Sequence, residues 1–217
     1  MRSREIEAYK KTLRLSPTQR EVLVGILLGD ACLETQNGGL TYRLKVEQCA
    51  AHAPYVRSLY ELFQAWVLTP PRRRTVRRGS SESENWVFQT VSHPAFRFYA
   101  RQFYDGRVKR VPKLIHRWLT PRGLAHWYMD DGSLKSKDSK GVIFNTQGFN
   151  RRDVDRLVDV LRAKFMLEAS LRKQLDGDQI YVSGRSFERF VGLVNPYVTD
   201  DMRHKVPLPR RTQLPKT

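Results

Sequence analysis

Two aspartates stand 101 residues apart, each at the end of an apolar, helix-like run. The first run reads Leu23-Val24-Gly25-Ile26-Leu27-Leu28-Gly29-Asp30, the second Leu124-Ala125-His126-Trp127-Tyr128-Met129-Asp130-Asp131-Gly132. A carboxylate at a helix C-terminus faces the negative end of the helix dipole, so neither Asp30 nor Asp131 stabilises its own helix. If the two helices pack in parallel about a pseudo-twofold axis, the carboxylates meet. They then raise each other's pKa unless a cation lies between them. Oxygen ligands beside a phosphodiester suit Mg²⁺, which keeps several waters and uses few protein carboxylates, and Mn²⁺ is expected to substitute. The candidate metal site is Asp30 and Asp131, flanked by Gly29 and Asp130. Asp130 is read as a packing residue there, because its counterpart in the first run is Gly29. The chemistry implied is in-line displacement at phosphorus, with an activated water and a stabilised leaving oxygen. Lys109 and Lys205 each precede Val-Pro and form a matching cationic pair. A lysine near a scissile phosphate can order the attacking water or offset developing charge.

The elements that position these groups are announced by Ser16-Pro17 and Thr120-Pro121. Ser and Thr cap free N–H groups, and proline suits the first helical position. The duplication extends further. Val91-Ser92 recurs as Val182-Ser183, Lys109-Arg110-Val111-Pro112 is echoed by His204-Lys205-Val206-Pro207, and Gln48 and Gln147 each end an extended run. We therefore expect a basic extension over 1–15, one repeat over 16–115, a second over 116–207, and a basic, proline-containing tail over 208–217.

Within each repeat the patterns predict a carboxylate-ended helix, a strand (40–48 or 141–147), a helix (53–67 or 151–165), two strands and a closing helix, with room for extra strands in the loops. The class is α+β, a pseudo-dimer in one chain. In 40–48, Tyr42, Leu44 and Val46 alternate with Arg43, Lys45 and Glu47, the period of a half-buried strand. Strands at 72–78 and 85–91 are joined by a polar loop at 79–84, and Asp176-Gly177 marks a hairpin turn.

Lys and Arg number 39 against 22 Asp and Glu, a net charge of +17. That surplus points to a polyanion. No apolar run approaches the ~20 residues of a spanning helix, so a membrane partner is not expected. Strand 72–78 puts Arg72, Arg74 and Arg78 on one face. Its counterpart offers Arg172 and Gln174, with Gln179 and Tyr181 across the turn. Arg reaches guanine and Gln reaches adenine edges in the major groove, which admits a two-stranded ribbon. With Arg43 and Lys45, these are the candidate DNA-binding residues. Cys32 and Cys49 make neither a disulfide framework nor a zinc spacing, which fits a reduced, partly buried pair in an intracellular protein. There is no signal-peptide pattern.

These residues resemble the LAGLIDADG homing endonucleases, in the single-chain branch with two motifs. Residues 23–31 align with the nine-residue signature, departing at Gly29 and Ala31, and 124–132 fit it more closely. Trp127-Tyr128-Met129-Asp130-Asp131-Gly132 and Asn145-Thr146-Gln147 are similar to the subgroup of the yeast mitochondrial omega-intron endonuclease. The resemblance implies two αββαββα-like repeats forming a saddle of antiparallel sheets, with the signature helices at their interface. It implies a monomer that makes a Mg²⁺-dependent, staggered double-strand cut in a long asymmetric duplex. Asp30 and Asp131 would carry the metal, Lys109 and Lys205 the basic catalytic positions, and Gln48 and Gln147 would organise water or metal. It also implies an intron-encoded protein of an organelle (chloroplast or mitochondrion) or of prokaryotic cytoplasm, with intron RNA as a further possible partner. The competing expectation is an RNA maturase or DNA-binding regulator of the same fold that does not cut.

Overall fold

In the computed structural model the described residues are 3–79, 81–136 and 139–206. The tail at 208–217 and the Arg78 side chain fall outside them. The chain begins with α1 (Ser3–Thr12), α2 (Pro17–Leu28), β1 (Cys32–Glu34), β2 (Arg43–Cys49), α3 (Ala53–Phe63), β3 (Arg72–Arg78), β4 (Ser81–Gln89) and α4 (Arg97–Phe103). A small ladder, β5 (Tyr104–Asp105) with β6 (Val108–Lys109), and α5 (Ile115–Trp118) lead to the second half. There follow α6 (Pro121–Asp131), β7 (Gly132–Leu134), β8 (Val142–Phe144), α7 (Arg151–Ala163), β9 (Ala169–Gln174), β10 (Gly177–Val182) and α8 (Phe187–Val194).

Each half is thus αββαββα, and the sheets have the same order, β1-β2-β4-β3 and β7-β8-β10-β9. The short strands β1 and β7 fill the room left in the loops. One expectation fails locally: residues 81–84 are not loop but the start of β4, paired as far as Arg78 with Ser81. Their polar side chains suit a ribbon whose faces both meet water, so no apolar alternation marks it. The predicted helix at 53–67 ends at Phe63, with a 3₁₀ turn over Gln64–Trp66. The N-terminal extension carries α1, whose Tyr9 hydroxyl donates to Ala65 O at 2.6 Å. Cys32 and Cys49 are free, and Cys49 is exposed rather than partly buried.

The helix starts follow the local chemistry. Ser16 Oγ accepts from the Gln19 N–H while Gln19 Oε1 accepts from the Ser16 N–H, a complete capping box. Thr120 Oγ1 accepts from the Gly123 N–H. Both helices are buried over most of their length, α2 from Val22 to Leu28 and α6 from Gly123 to Met129. Sheet alternation does the rest. Leu44, Val46 and Phe88 face inward beneath the first sheet, with Val56, Leu59 and Phe63 of α3 buried in the same core. Val142, Phe144, Ile180 and Val182 do so beneath the second, with Val154, Leu157 and Leu161 of α7. The opposite face of each sheet is left open.

The helices α2 and α6 lie side by side, running the same way. Glu21 pairs with Arg122 at 3.2 Å near their starts. In the middle, a Cβ on Gly25 would stand 2.3 Å from the Gly123 carbonyl oxygen. At the end, a Cβ on Gly29 would stand 2.3 Å from Asp130 Oδ2. The partner of Gly25 is therefore Gly123, a residue the motif alignment passes over. Ordinarily Gly→Ala inside a helix stabilises by up to ~1 kcal/mol. Here overpacking, which typically costs about 1–3 kcal/mol, should win. Gly25→Ala is expected to lower the melting temperature; a rise would show that the helices do not approach this closely.

Candidate active site

The C-terminal ends of α2 and α6 deliver Asp30, Asp130 and Asp131 to one place. The Asp30 N–H donates to Asp130 Oδ2 at 3.2 Å. Gln48, at the end of β2, bridges the two halves: its Nε2 donates to Asp30 Oδ2 at 2.8 Å and to Asp130 Oδ1 at 3.2 Å. Lys109 and Lys205 arrive from opposite sides and act alike. Lys109 Nζ donates to the carbonyls of Gly29 and Ala31, at 2.5 and 3.1 Å. Lys205 Nζ donates to those of Met129 and Asp130, at 2.5 and 3.2 Å. Each ammonium thereby satisfies carbonyls left open where a signature helix ends.

The electrostatics follow from crowding three carboxyls with two cations. Burial pushes Asp131 up to about 7, the Asp30 charge adds to this, and Lys109 and Lys205 oppose it. Asp130 is held well above the usual carboxylate range by burial first, then by Asp30 and Asp131. Burial depresses Lys109 and Lys205 below the ordinary lysine value, against the pull of all three aspartates.

Gln147 does not join this set. It lies in the loop after β8, its backbone within 3.0 Å of where a Gly177 Cβ would sit. Its side chain makes no hydrogen bond to a described residue. The ladders explain why. Cys32 pairs with Lys45 and Ser133 with Ile143, so continuing each ladder sets Glu47 across from Asp30 and Asn145 across from Asp131. Asn145 donates from its backbone and its Nδ2 to Asp131 O, both at 3.0 Å. The same continuation matches Gln48 with Thr146 rather than with Gln147, and Thr146 is buried with its hydroxyl donating to Asp178 O at 2.6 Å. Two further neighbours carried no sequence signal beyond helical periodicity. Tyr55 is fully buried, with its hydroxyl 3.3 Å from His126 Nδ1. Burial raises its phenol well above the ordinary value, and the Asp130 charge adds to that.

The open faces of the sheets flank the site. The register puts Lys45, Glu47, Val87, Asn85, Arg72 and Arg74 on one face of the first sheet. Arg43 sits opposite Glu34 and bonds to its Oε2 at 2.9 Å. On the second sheet Arg172 pairs in register with Gln179, and Tyr181 follows on the same face; Gln174 lies beside the turn at Gly177. Gln179 Nε2 donates to Asn145 Oδ1 at 2.8 Å. Arg73 and Arg77 occupy the reverse face of β3 and pair with Glu84 and Glu82.

A family model described as the LAGLIDADG DNA endonuclease family matches residues 20–190. This chain belongs to that family. It is 31% identical over 214 residues to the probable intron-encoded endonuclease 1 of Wickerhamomyces canadensis, covering 94% of this chain and 90% of that protein. It is 29% identical over 210 residues to the DNA endonuclease I-ChuI of Chlamydomonas applanata, covering 89% and 96%. The structure of the homing endonuclease I-WcaI bound to its DNA recognition sequence superposes with a TM-score of 0.89 at 29% identity, covering 95% of this chain and 94% of that one. The two LAGLIDADG helices are α2 and α6, at the interface between repeats as expected. Among the described residues no helix is long and apolar enough to cross a membrane.

The LAGLIDADG aspartates carry a pH signature. Asp131 titrates near 7 in the folded chain, against an ordinary 3.8. Between those values the folded state holds the extra proton, so this group's contribution to stability falls as pH rises. His126, pushed down to about 4 by burial, acts in the opposite sense below pH 6.5. The difference between wild type and Asp131→Asn isolates the carboxyl. In EDTA the variant should become progressively more stable than wild type from about pH 4 to 7 and hold that lead above it. Thermal melts that show no such divergence would mean the carboxylate is already compensated.

Proposed function

We propose that this LAGLIDADG protein is a monomeric, site-specific DNA endonuclease that makes a Mg²⁺-dependent staggered double-strand cut in a long asymmetric duplex. The observation that carries this reading is the meeting of Asp30, Asp130 and Asp131 with Lys109 and Lys205 at one end of the helix pair, between two basic sheet faces.

Nucleic acid fits the faces because Arg43, Lys45, Arg72, Arg74 and Arg172 can engage phosphates or guanines, while Gln174 and Gln179 can engage adenines. One chain supplies both half-sites, so the duplex need not be palindromic. The donor set also fits a hard divalent cation. Its carboxylates are under-compensated, as the rise of Asp131 to about 7 attests. Both lysines donate to carbonyls and leave carboxylate oxygens free. Among the described residues no group of three or more His, Cys, Asp or Glu forms a dedicated metal cage. A cation that keeps its waters and takes few protein ligands matches that. Asp30 and Asp131 would hold it, and when bound it would supply charge compensation at phosphorus and a more acidic water. The chain's own groups do the rest. Gln48 fixes the Asp30 carboxylate, Asn145 fixes the Asp131 backbone, and the lysines stiffen the helix ends while adding positive charge beside the scissile phosphate.

Cleavage of a duplex library of candidate intron-insertion sites, with sequencing of the product ends, tests the proposal. Wild type with Mg²⁺ should cut one long sequence and leave 3′ overhangs; EDTA should stop it. Asp30→Asn and Asp131→Asn should each lose at least about a hundredfold in rate, the scale of removing a charge stabiliser, with affinity for the duplex nearly intact. Cutting by Asp131→Asn would sink the assignment. Tight binding without cuts in any divalent metal would favour the maturase or regulator.

A further inference from the structure

The first sheet's open face holds an acid among its cations. Glu47 Oε2 accepts from Arg74 Nη1 at 3.0 Å and pairs with Lys45 Nζ at 2.9 Å, while its Oε1 accepts from Asn85 Nδ2 at 3.0 Å. The acid is recessed and its partner projects: the Glu47 side chain is 17% exposed and Arg74 is 52% exposed. Burial tends to raise the Glu47 carboxyl, but the hydrogen bonds from Lys45 and Asn85 and the neighbouring charges prevail and lower it. At the matching place the second sheet has neutral Asn145, and Arg172 makes no ion pair with a described residue. A pair that ends on a half-exposed arginine adds little to stability, and for the recessed Glu47–Lys45 pair desolvation offsets much of the attraction, so the fold does not explain the acid. A negative charge on a surface that meets phosphates costs affinity, so affinity does not explain it either.

We infer that Glu47 is a specificity-determining positioning residue: it holds Lys45, Arg74 and Asn85 in one arrangement for base edges and withholds Arg74 from indiscriminate phosphate contact. This rests on the reading that the open face meets DNA. A free Arg or Lys follows phosphates, which carry no sequence information, whereas a held one presents its donors at a fixed place. Asn85, bonded through one N–H, keeps its carbonyl and second N–H for a base.

The test uses the full chain, its cleaved duplex and a random-sequence duplex pool of equal length. Glu47→Gln keeps the shape and an acceptor for Asn85 but removes the charge. It should bind the random pool more tightly, with a log–log salt slope steeper by about 0.9, the value of one further phosphate neutralised, because Arg74 is released while Lys45 keeps Glu34 at 3.8 Å. The ratio of specific to random binding should fall at least about fivefold, the lower end of what one well-held base contact discriminates. In the Glu47→Gln/Arg74→Ala double variant the losses should be less than additive, as for groups acting through one another. An unchanged slope with discrimination lost at a single C·G pair would overturn the inference, because Glu47 would then accept from cytosine directly. A lower melting temperature with both affinities unchanged would overturn it as well, leaving a structural role. If Arg74→Ala itself leaves binding to both duplexes unchanged, the face does not meet DNA, and the underlying reading fails rather than the role of Glu47 within it.

Discussion

Everything in this structure depends on how closely two helices can approach. The carbonyl of Gly123 fills the space a side chain on residue 25 would need, and Asp130 fills the space beside residue 29. Only glycine permits either contact. Backbone-to-backbone packing over the length of α2 and α6 brings both helix ends to the same point, and each end carries an aspartate. Widening the gap by one methyl group would move the two halves apart along with their sheets. The geometry of the aspartate cluster and the spacing of the two sheet faces are therefore set by the same contact.

That approach creates an electrostatic problem, which the lysines answer in part. Three carboxyls gather where two helix dipoles both point their negative ends. Lys109 and Lys205 bond to the terminal carbonyls rather than to the carboxylates, so they relieve the dipoles and leave the aspartates short of compensation. A structural site would have closed these as salt bridges. Charge left unbalanced in a partly buried place suits the proposed role of holding a cation beside a phosphodiester, and its cost is borne by the apolar burial of the helices themselves.

Much of this was legible in the residues. The duplication, the helix caps, the paired aspartates and the lysines before Val-Pro all have local chemical signatures, and each took its expected place in the fold. What escaped is instructive. Gly123 could not be paired with Gly25, because it is not the equivalent residue: counterparts meet at Gly29 and Asp130, but Gly25 packs three residues before its own counterpart, His126. In the sequence Gln147 matches Gln48, because each ends an extended run, and only the ladders show that Thr146 holds the matching position and that Asn145 lies across from Asp131. The strand at 81–84 has no apolar alternation to announce it. Tyr55 reads as one more core aromatic on α3, and nothing nearby in the chain tells that it lies against Asp130.

The pairing of Gly29 with Asp130 fixes which halves can associate. Two copies of the first half, assembled as a homodimer, would set glycine against glycine at the axis and leave a void. Two copies of the second half would drive one Asp130 carboxylate into the other. Neither half can serve as its own partner at this contact. The two halves are a lock and key, each shaped for the other and not for a copy of itself.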